Sequence, residues 1–340
     1  MSSAGAPVRA AVCVLLAAAL AACGGQDEES AETTPSEGAR EAGYEPVTVE
    51  SCGRRTAYET PPERAVSNDI NTTETLLALG LAGRMAGVAG VEGRDEVLPE
   101  YREEFDGLPE LSEEYLPNRE LVLGAGADFV LAGWNYGFSE ETGVTPRSLG
   151  EVGIDSYAIR ESCTRVGGGD SGSIRDTYED LLNLGRIFGV EDRARELVEG
   201  YEERISAVRS RLPSGAEPPR VFVYDSGEQA PFTAGGEAIP DELIRLAGGQ
   251  NVFRDVEDSW TTVGWEEVVE RDPEFIVIVD YGTPSARGKM EYLKSDPALE
   301  DVEAIREERF VVLPYAAVTP GVRNAAAVEK LARAFYPEAF

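Results

Sequence analysis

The stretch from Arg119 to Trp134, RELVLGAGADFVLAGW, is written again at a constant offset as WEEVVERDPEFIVIVDY from Trp265 to Tyr281. In each copy a glutamate (Glu120, Glu266) opens an apolar-periodic run, and an acidic residue (Asp128, Glu274) follows eight positions later. A phenylalanine (Phe129, Phe275) then starts an apolar stretch, with no gap between the copies. Helical spacing followed at once by a short apolar run reads as a helix feeding a strand. A chain that carries this unit twice is constrained to two similar lobes.

Elsewhere, β-branched or apolar runs alternate with helical patterns, the signature of α/β units with parallel strands. The spacing predicts strands over 64–67, 85–89, 128–132 and 156–159 in the first half, and over 220–224, 275–279 and 310–313 in the second. Between the halves, Tyr178, Leu181, Leu182 and Leu184, then Ala194, Leu197, Val198, Tyr201, Ile205 and Val208, recur at helical spacing, with Gly189 as the expected break. Pro213, Gly215, Pro218 and Pro219 mark the end of that segment. The expected fold class is α/β: two Rossmann-like lobes with parallel sheets, 47–173 and 213–340, joined through a long helix in an interlobe segment, 174–212.

The N-terminus reads as an address. Arg9 precedes an apolar run that ends at Leu20, too short for the roughly 20 residues of a membrane helix. Leu20-Ala21-Ala22-Cys23-Gly24 follows, small residues before a cysteine, as in a bacterial lipobox. The expectation is a signal peptide over 1–22, a lipid on Cys23 that anchors the protein to the outer face of the cell membrane, and a polar tether over 23–46, too poor in apolar residues to offset its ordering entropy. With Cys13 removed and Cys23 modified, Cys52 and Cys163 remain to pair as a disulfide in an oxidising compartment.

Composition removes several function classes. A formal charge of -32 leaves no basic face for nucleic acid. The chain contains no histidine, so Gly169-Asp170-Ser171-Gly172 lacks the base that a serine nucleophile needs, and no metal site or catalytic residue is expected. Gly167, Gly168 and Gly169 lack the Gly-Lys-Ser/Thr of a phosphate loop and read as a flexible connection. In open α/β sheets, ligands sit beyond the carboxyl ends of the strands. Those ends carry Asn68 and Asp69, Trp134 to Tyr136, Arg160 and Glu161, Tyr224 and Asp225, Asp280 and Tyr281, and Tyr315. Polar exits are usual for strands, but aromatic residues at four of them point to a cleft for a large ligand. Asn68, Trp134, Tyr136, Arg160, Tyr224, Trp260, Tyr281 and Arg323 are the expected ligand-binding residues. Aromatic faces cover a bulky ligand at low entropy cost, and Arg323 would grip an anionic edge. Core packing is the alternative, strongest for Trp260.

Several motifs together resemble the substrate-binding proteins of ABC importers for iron-siderophores, haem and vitamin B12. They are Pro62-Glu63-Arg64-Ala65-Val66 leading to Asn71-Thr72-Thr73-Glu74-Thr75-Leu76-Leu77-Ala78-Leu79-Gly80, then Pro231-Phe232-Thr233-Ala234-Gly235-Gly236, and Ala247-Gly248-Gly249-Gln250-Asn251-Val252-Phe253. Ser51-Cys52-Gly53, Glu161-Ser162-Cys163, Asp258-Ser259-Trp260-Thr261-Thr262-Val263-Gly264-Trp265 and Gly321-Val322-Arg323-Asn324 are similar to actinobacterial members. Those include proposed carriers of a precursor of the deazaflavin F420.

The resemblance implies two lobes bridged by a rigid helix, with the ligand between them. It implies a monomeric receptor without cofactor or catalysis, which hands a ferric siderophore or similar chelate to a permease dimer. Cobalamin and an anionic deazaflavin precursor are the alternative ligands. An exported carboxylate-dependent enzyme and a signalling lipoprotein are the alternative classes. In the resembled family one glutamate on each lobe docks onto permease arginines, and Glu120 and Glu266 fall on the matching positions, with Glu74 as a rival. Their alternative role is to complement the helix dipole, with Asn118 capping the first helix.

Overall fold

The computed structural model describes residues 44–116, 118–167 and 172–340. The expected signal peptide, Cys23, the tether up to residue 43 and the glycine-rich residues 168–171 lie outside them.

A hairpin of β1 (Val47–Ser51) and β2 (Arg54–Tyr58) precedes the N-terminal lobe. The lobe itself runs β3 (Ala65–Asn68), α1 (Ile70–Ala78), β4 (Met85–Ala89), α2 (Arg102–Asp106), β5 (Glu110–Ser112), α3 (Arg119–Gly124), β6 (Phe129–Trp134), β7 (Gly137–Phe138), α4 (Pro146–Gly150) and β8 (Asp155–Ala158). Its strands are all parallel in the order β5-β4-β3-β6-β8, with β7 on the end of β6. Two helices, α5 (Ile174–Phe188) and α6 (Glu191–Arg211), lead onward. The C-terminal lobe is β9 (Arg220–Tyr224), β10 (Phe232–Ala234), α7 (Ile239–Leu246), β11 (Gln250–Asn251), β12 (Trp260–Thr262), α8 (Trp265–Arg271), β13 (Phe275–Asp280), α9 (Ala286–Ser295), α10 (Glu303–Arg306), β14 (Phe310–Pro314) and α11 (Asn324–Phe335). A parallel sheet β11-β9-β13-β14 forms its centre, and β10 pairs antiparallel with β12 at its side.

The repeated phrase is α3–β6 in one lobe and α8–β13 in the other. Each copy staples its strand to the first strand of its lobe in the same way. The Asp128 carboxylate accepts from the Arg64 amide at 2.9 Å, and Glu274 accepts from the Arg220 amide at 2.9 Å. In return Arg64 Nε donates to the Gly126 carbonyl at 2.7 Å, and Arg220 Nε to the Asp272 carbonyl at 2.8 Å. Gly126 and Asp272 occupy the same turn position, both with positive φ (62° and 40°). The acid eight residues after each glutamate therefore fixes strand register. Phe129 lies opposite Ala65, and Phe275 opposite Val221.

α5 begins where the Ser173 hydroxyl accepts from the Asp176 amide at 3.1 Å, and ends at Gly189 in the left-handed region (φ 67°) that glycine adopts without strain. α6 then runs 21 residues, roughly 30 Å, with Glu191 and Asp192 in its first turn and Arg209 and Arg211 in its last, the charge order a helix dipole favours. A Cβ on Gly185 would come within 2.5 Å of the Ala194 Cβ, so the two helices meet closely there. Leu181, Leu184 and Ile187 of α5 and Val198 and Ile205 of α6 belong to one continuous core. It reaches Phe129 and Leu131 in one sheet, Val223 and Val277 in the other, and Val328 and Leu331 on α11. Separate clusters cover the far face of each sheet.

The expected tether already joins this body at its end. The Tyr44 hydroxyl donates to the Ile187 carbonyl at 3.1 Å. Cys52, between β1 and β2, is bonded to Cys163 in a 3-10 segment over Arg160–Val166.

Candidate functional site

Parallel strands open into loops at their carboxyl ends, and the two sheets turn those ends toward one another across a cleft of about 700 Å³. From the N-terminal lobe, Asp69 follows β3, Glu92, Asp95 and Glu96 follow β4, and Glu113, Glu114 and Tyr115 follow β5. From the C-terminal lobe, Asp280 ends β13, Tyr281 comes next, Tyr315 follows β14, and Arg323 immediately precedes α11.

Asp69 is the centre of the floor. Its side chain is buried, and its Oδ2 accepts from the hydroxyls of Tyr115 at 3.1 Å and Tyr315 at 2.9 Å. Oδ1 accepts from the Ile70 amide at 2.6 Å. Burial pushes the carboxyl up to about 6 against the pull of these three donors. The backbone at Asp69 (φ 84°, ψ 153°) is one that almost only glycine adopts, at a cost of about 1–3 kcal/mol for other residues. Its carboxylate holds it there by bonding both lobes. The Tyr281 and Tyr315 rings meet at 5.4 Å, and the Tyr281 hydroxyl donates to Asp225 at 2.7 Å. Behind Tyr281, the buried Lys289 ammonium lies 4.4 Å from the ring centre and donates to the Val279 carbonyl at 2.7 Å.

Arg323 crosses the lobe boundary. Nε and Nη2 donate to the two carboxylate oxygens of Glu74 at 2.6 and 2.5 Å, and Nη2 also donates to the Glu96 carbonyl. Glu74 takes a further bond from the Leu98 amide at 2.7 Å. Its side chain has no exposed surface, so Glu74 presents nothing to an outside partner and drops out as a rival docking glutamate.

Of the residues expected to bind ligand, Tyr281 and Arg323 line this cleft. Asn68 is buried one residue before it; its Oδ1 accepts from the Leu116 amide at 2.7 Å and so positions the loop that carries Tyr115. Tyr136 donates to Glu161 at 3.2 Å, and Glu161 accepts from Ser259 at 3.2 Å, a second link between the lobes beside Trp260. Trp260 itself is half-buried and stacked on Phe232. The Arg160 guanidinium pairs with Asp176 at 3.1 Å and Glu179 at 3.3 Å. Trp134 faces a different cavity of about 360 Å³ beside the disulfide. Tyr224 is 2% exposed and packs on Phe222 and Trp265. Glu120 and Glu266 are exposed in the first turns of α3 and α8, with Asn118 Oδ1 accepting from the Leu121 amide at 3.0 Å.

The loops after β4 and β5 were not anticipated. The exit of β4 is readable from the strand expected over 85–89, but β5 is three residues long and gives no periodic signal. Among the described residues, no three His, Cys, Asp or Glu side chains converge as a metal-ion cage.

The sequence pattern of the periplasmic binding proteins matches residues 66–317, most of the chain and both walls of the cleft. The chain belongs to that family. Members with solved structures share its fold. A periplasmic binding protein from Veillonella parvula DSM 2008 is 29% identical, with a TM-score of 0.75 over 86% of this chain and 98% of that one. A protein of an ABC-type Fe3+-hydroxamate transport system from Saccharomonospora viridis DSM 43017 is 24% identical, with a TM-score of 0.73 over 85% of this chain and 99% of that one. A vitamin B12-binding protein of Yersinia pestis (strain Pestoides F) is 26% identical over 64% of this chain and 69% of its own length. The family is one of binding proteins, which fits the expected two-lobed receptor fold.

Proposed function

We propose that this periplasmic binding protein is the lipid-anchored receptor of an ABC importer, which captures a bulky metal chelate of the iron-siderophore type and delivers it unaltered to a permease dimer. The observation that carries the reading is the interlobe cleft. It lies where the carboxyl edges of two parallel sheets face each other, its volume falls within the ~300–1,000 Å³ usual for ligand sites, and tyrosines form its floor. The name of the Yersinia relative favours a corrinoid as the second reading, since cobalamin is also a bulky chelate that supplies its own metal ligands. Cys23 provides the membrane anchor. Glu120 and Glu266, exposed at equivalent places in the two copies of the repeated unit, meet the two halves of the permease.

Fluorescence titration of the mature protein with ferric siderophores and cobalamin tests capture, and mass spectrometry of the released ligand tests turnover. Saturable binding with the ligand recovered intact is expected, and conversion of the ligand would assign the protein to an exported enzyme instead. Uptake of the bound chelate by cells that carry the permease is expected to vanish in the double variant Glu120→Arg/Glu266→Arg while affinity stays unchanged. Undiminished uptake would leave these glutamates with helix-dipole roles only.

A further inference from the structure

The cleft is more acidic than the chain as a whole. Of its sixteen lining residues seven are Asp or Glu. At the chain's overall proportion, 63 in 340, about three would be expected. Asp69 is buried, but Glu92, Asp95, Glu96, Glu113, Glu114 and Asp280 are exposed. No Lys or Arg among the described residues forms an ion pair with any of these six. Arg323 is the one cation among the described lining residues, and its guanidinium is committed to Glu74. Lys289 sits behind Tyr281 and bonds a backbone carbonyl.

A second observation has the same sign. Tyr115 and Tyr281 are each 40% exposed. The hydroxyl of Tyr115 is tied down by Asp69, which leaves ring surface toward the cleft; that of Tyr281 is tied down by Asp225, and the Lys289 ammonium already covers one face of its ring. Ring faces attract cations through their quadrupole. A cleft walled by one sign of charge also raises the local concentration of the opposite sign. An anionic ligand would have to give up its hydration against unpaired carboxylates.

We infer that the cleft selects a metal chelate of net positive charge over neutral or anionic chelates of similar size. This rests on the receptor reading above and narrows it. Cationic ferric hydroxamates and other chelates that bear an ammonium group are favoured. Tricatecholate complexes, haem with its propionates, and carboxylated deazaflavins are disfavoured.

The test uses ferrioxamine B, a monocationic ferric trihydroxamate, and its N-acetyl derivative, which keeps the iron shell and loses the charge. Ferric enterobactin, haemin and cyanocobalamin complete the panel, titrated against the mature protein at about 20 mM and about 500 mM salt. Ferrioxamine B is expected to bind at least about tenfold tighter than its acetylated form at low salt, with the ratio shrinking at high salt as exposed charges are screened. Glu96→Gln/Glu113→Gln/Glu114→Gln should lose most of that ratio, with a cooperative thermal transition reporting an intact fold. Glu199→Gln/Glu202→Gln/Glu203→Gln, on the exposed side of α6, removes the same formal charge from a remote surface and should keep the ratio. Equal affinity for the two ferrioxamines, tightest binding of an anion, or an equal effect of the α6 variant would overturn the inference while leaving the receptor reading in place. Failure of every chelate to bind would overturn both.

Discussion

A guanidinium whose Nε and Nη2 are bonded to a buried carboxylate has little left to offer an anionic ligand, and its loss is felt first in stability. Arg323→Met would strand the Glu74 charge with no compensating cation, which is expected to cost about 3–5 kcal/mol in urea denaturation. Glu74→Gln added to it should restore part of the loss. Normal stability with weakened ligand affinity would instead make Arg323 a ligand contact. Asp180 gives a prediction of a different kind. Burial pushes its carboxyl up to about 8 despite bonds from the Tyr157 hydroxyl at 2.7 Å and the Arg160 amide at 3.0 Å. Unfolded, it ionises near the ordinary 3.8, so between about pH 4 and pH 8 the folded state holds a proton that the unfolded state has released. Its contribution to stability therefore falls as pH rises through that window. Asp180→Asn should gain on the parent protein in thermal midpoint from pH 4.5 to pH 8, and parallel curves would contradict this. Arg160 shows what residue-level reading of the sequence leaves out. Its place at a strand exit was legible, but the arrival of Asp176 and Glu179 beside it is set by where α5 lies, a tertiary fact with no local signal.

Strands are legible where an unbroken apolar run marks them. Seven strands of four to six residues, such as Phe275–Asp280 with its unbroken apolar run, lie within two residues of the ends that the sequence pattern predicts. The β1–β2 hairpin, VTVES and RRTAY, alternates polar and apolar residues too weakly to signal a strand, and β5, β7, β10, β11 and β12 are too short to show a period. The site suffers from this directly, since Glu113, Glu114 and Tyr115 leave from β5. The repeat was visible, but the reason for its acidic residue was not, because the Arg64 and Arg220 amides that it holds are more than fifty positions away. The disulfide ties the hairpin turn to the segment after β8 across 111 positions. In the chain-entropy account, closing such a loop contributes about 4–5 kcal/mol, with measured values commonly about 2–4. Cys52→Ser/Cys163→Ser is expected to lower urea stability within that range, whereas an unchanged midpoint, with or without reductant, would show that the hairpin docks unaided.

At the scale of the whole molecule the lobes are bound together too firmly to hinge far. They share one core through α5 and α6, and α6 is additionally clamped to α11 by the bidentate Arg204–Glu329 pair at 2.8 and 3.0 Å. Sharp bends in helices arise at proline, at glycine pairs or at bulges, and α6 contains only the single Gly200. Bonds also cross between the lobes, at the cleft and away from it: Tyr315 to Asp69 at 2.9 Å, Asn71 to the Pro320 carbonyl at 2.8 Å, Ser259 to Glu161 at 3.2 Å, and the Arg323–Glu74 pair. To open the lobes, these bonds would have to break together, a charge pair among them. Ligand capture is therefore expected to occur in a largely preformed groove, with small adjustments in the loops after β4 and β5. Small-angle scattering of free and ligand-saturated protein should give superimposable profiles. A clear fall in radius of gyration on loading would mean that the lobes close as hinged bodies, and that the bonds across the floor form only when ligand is present.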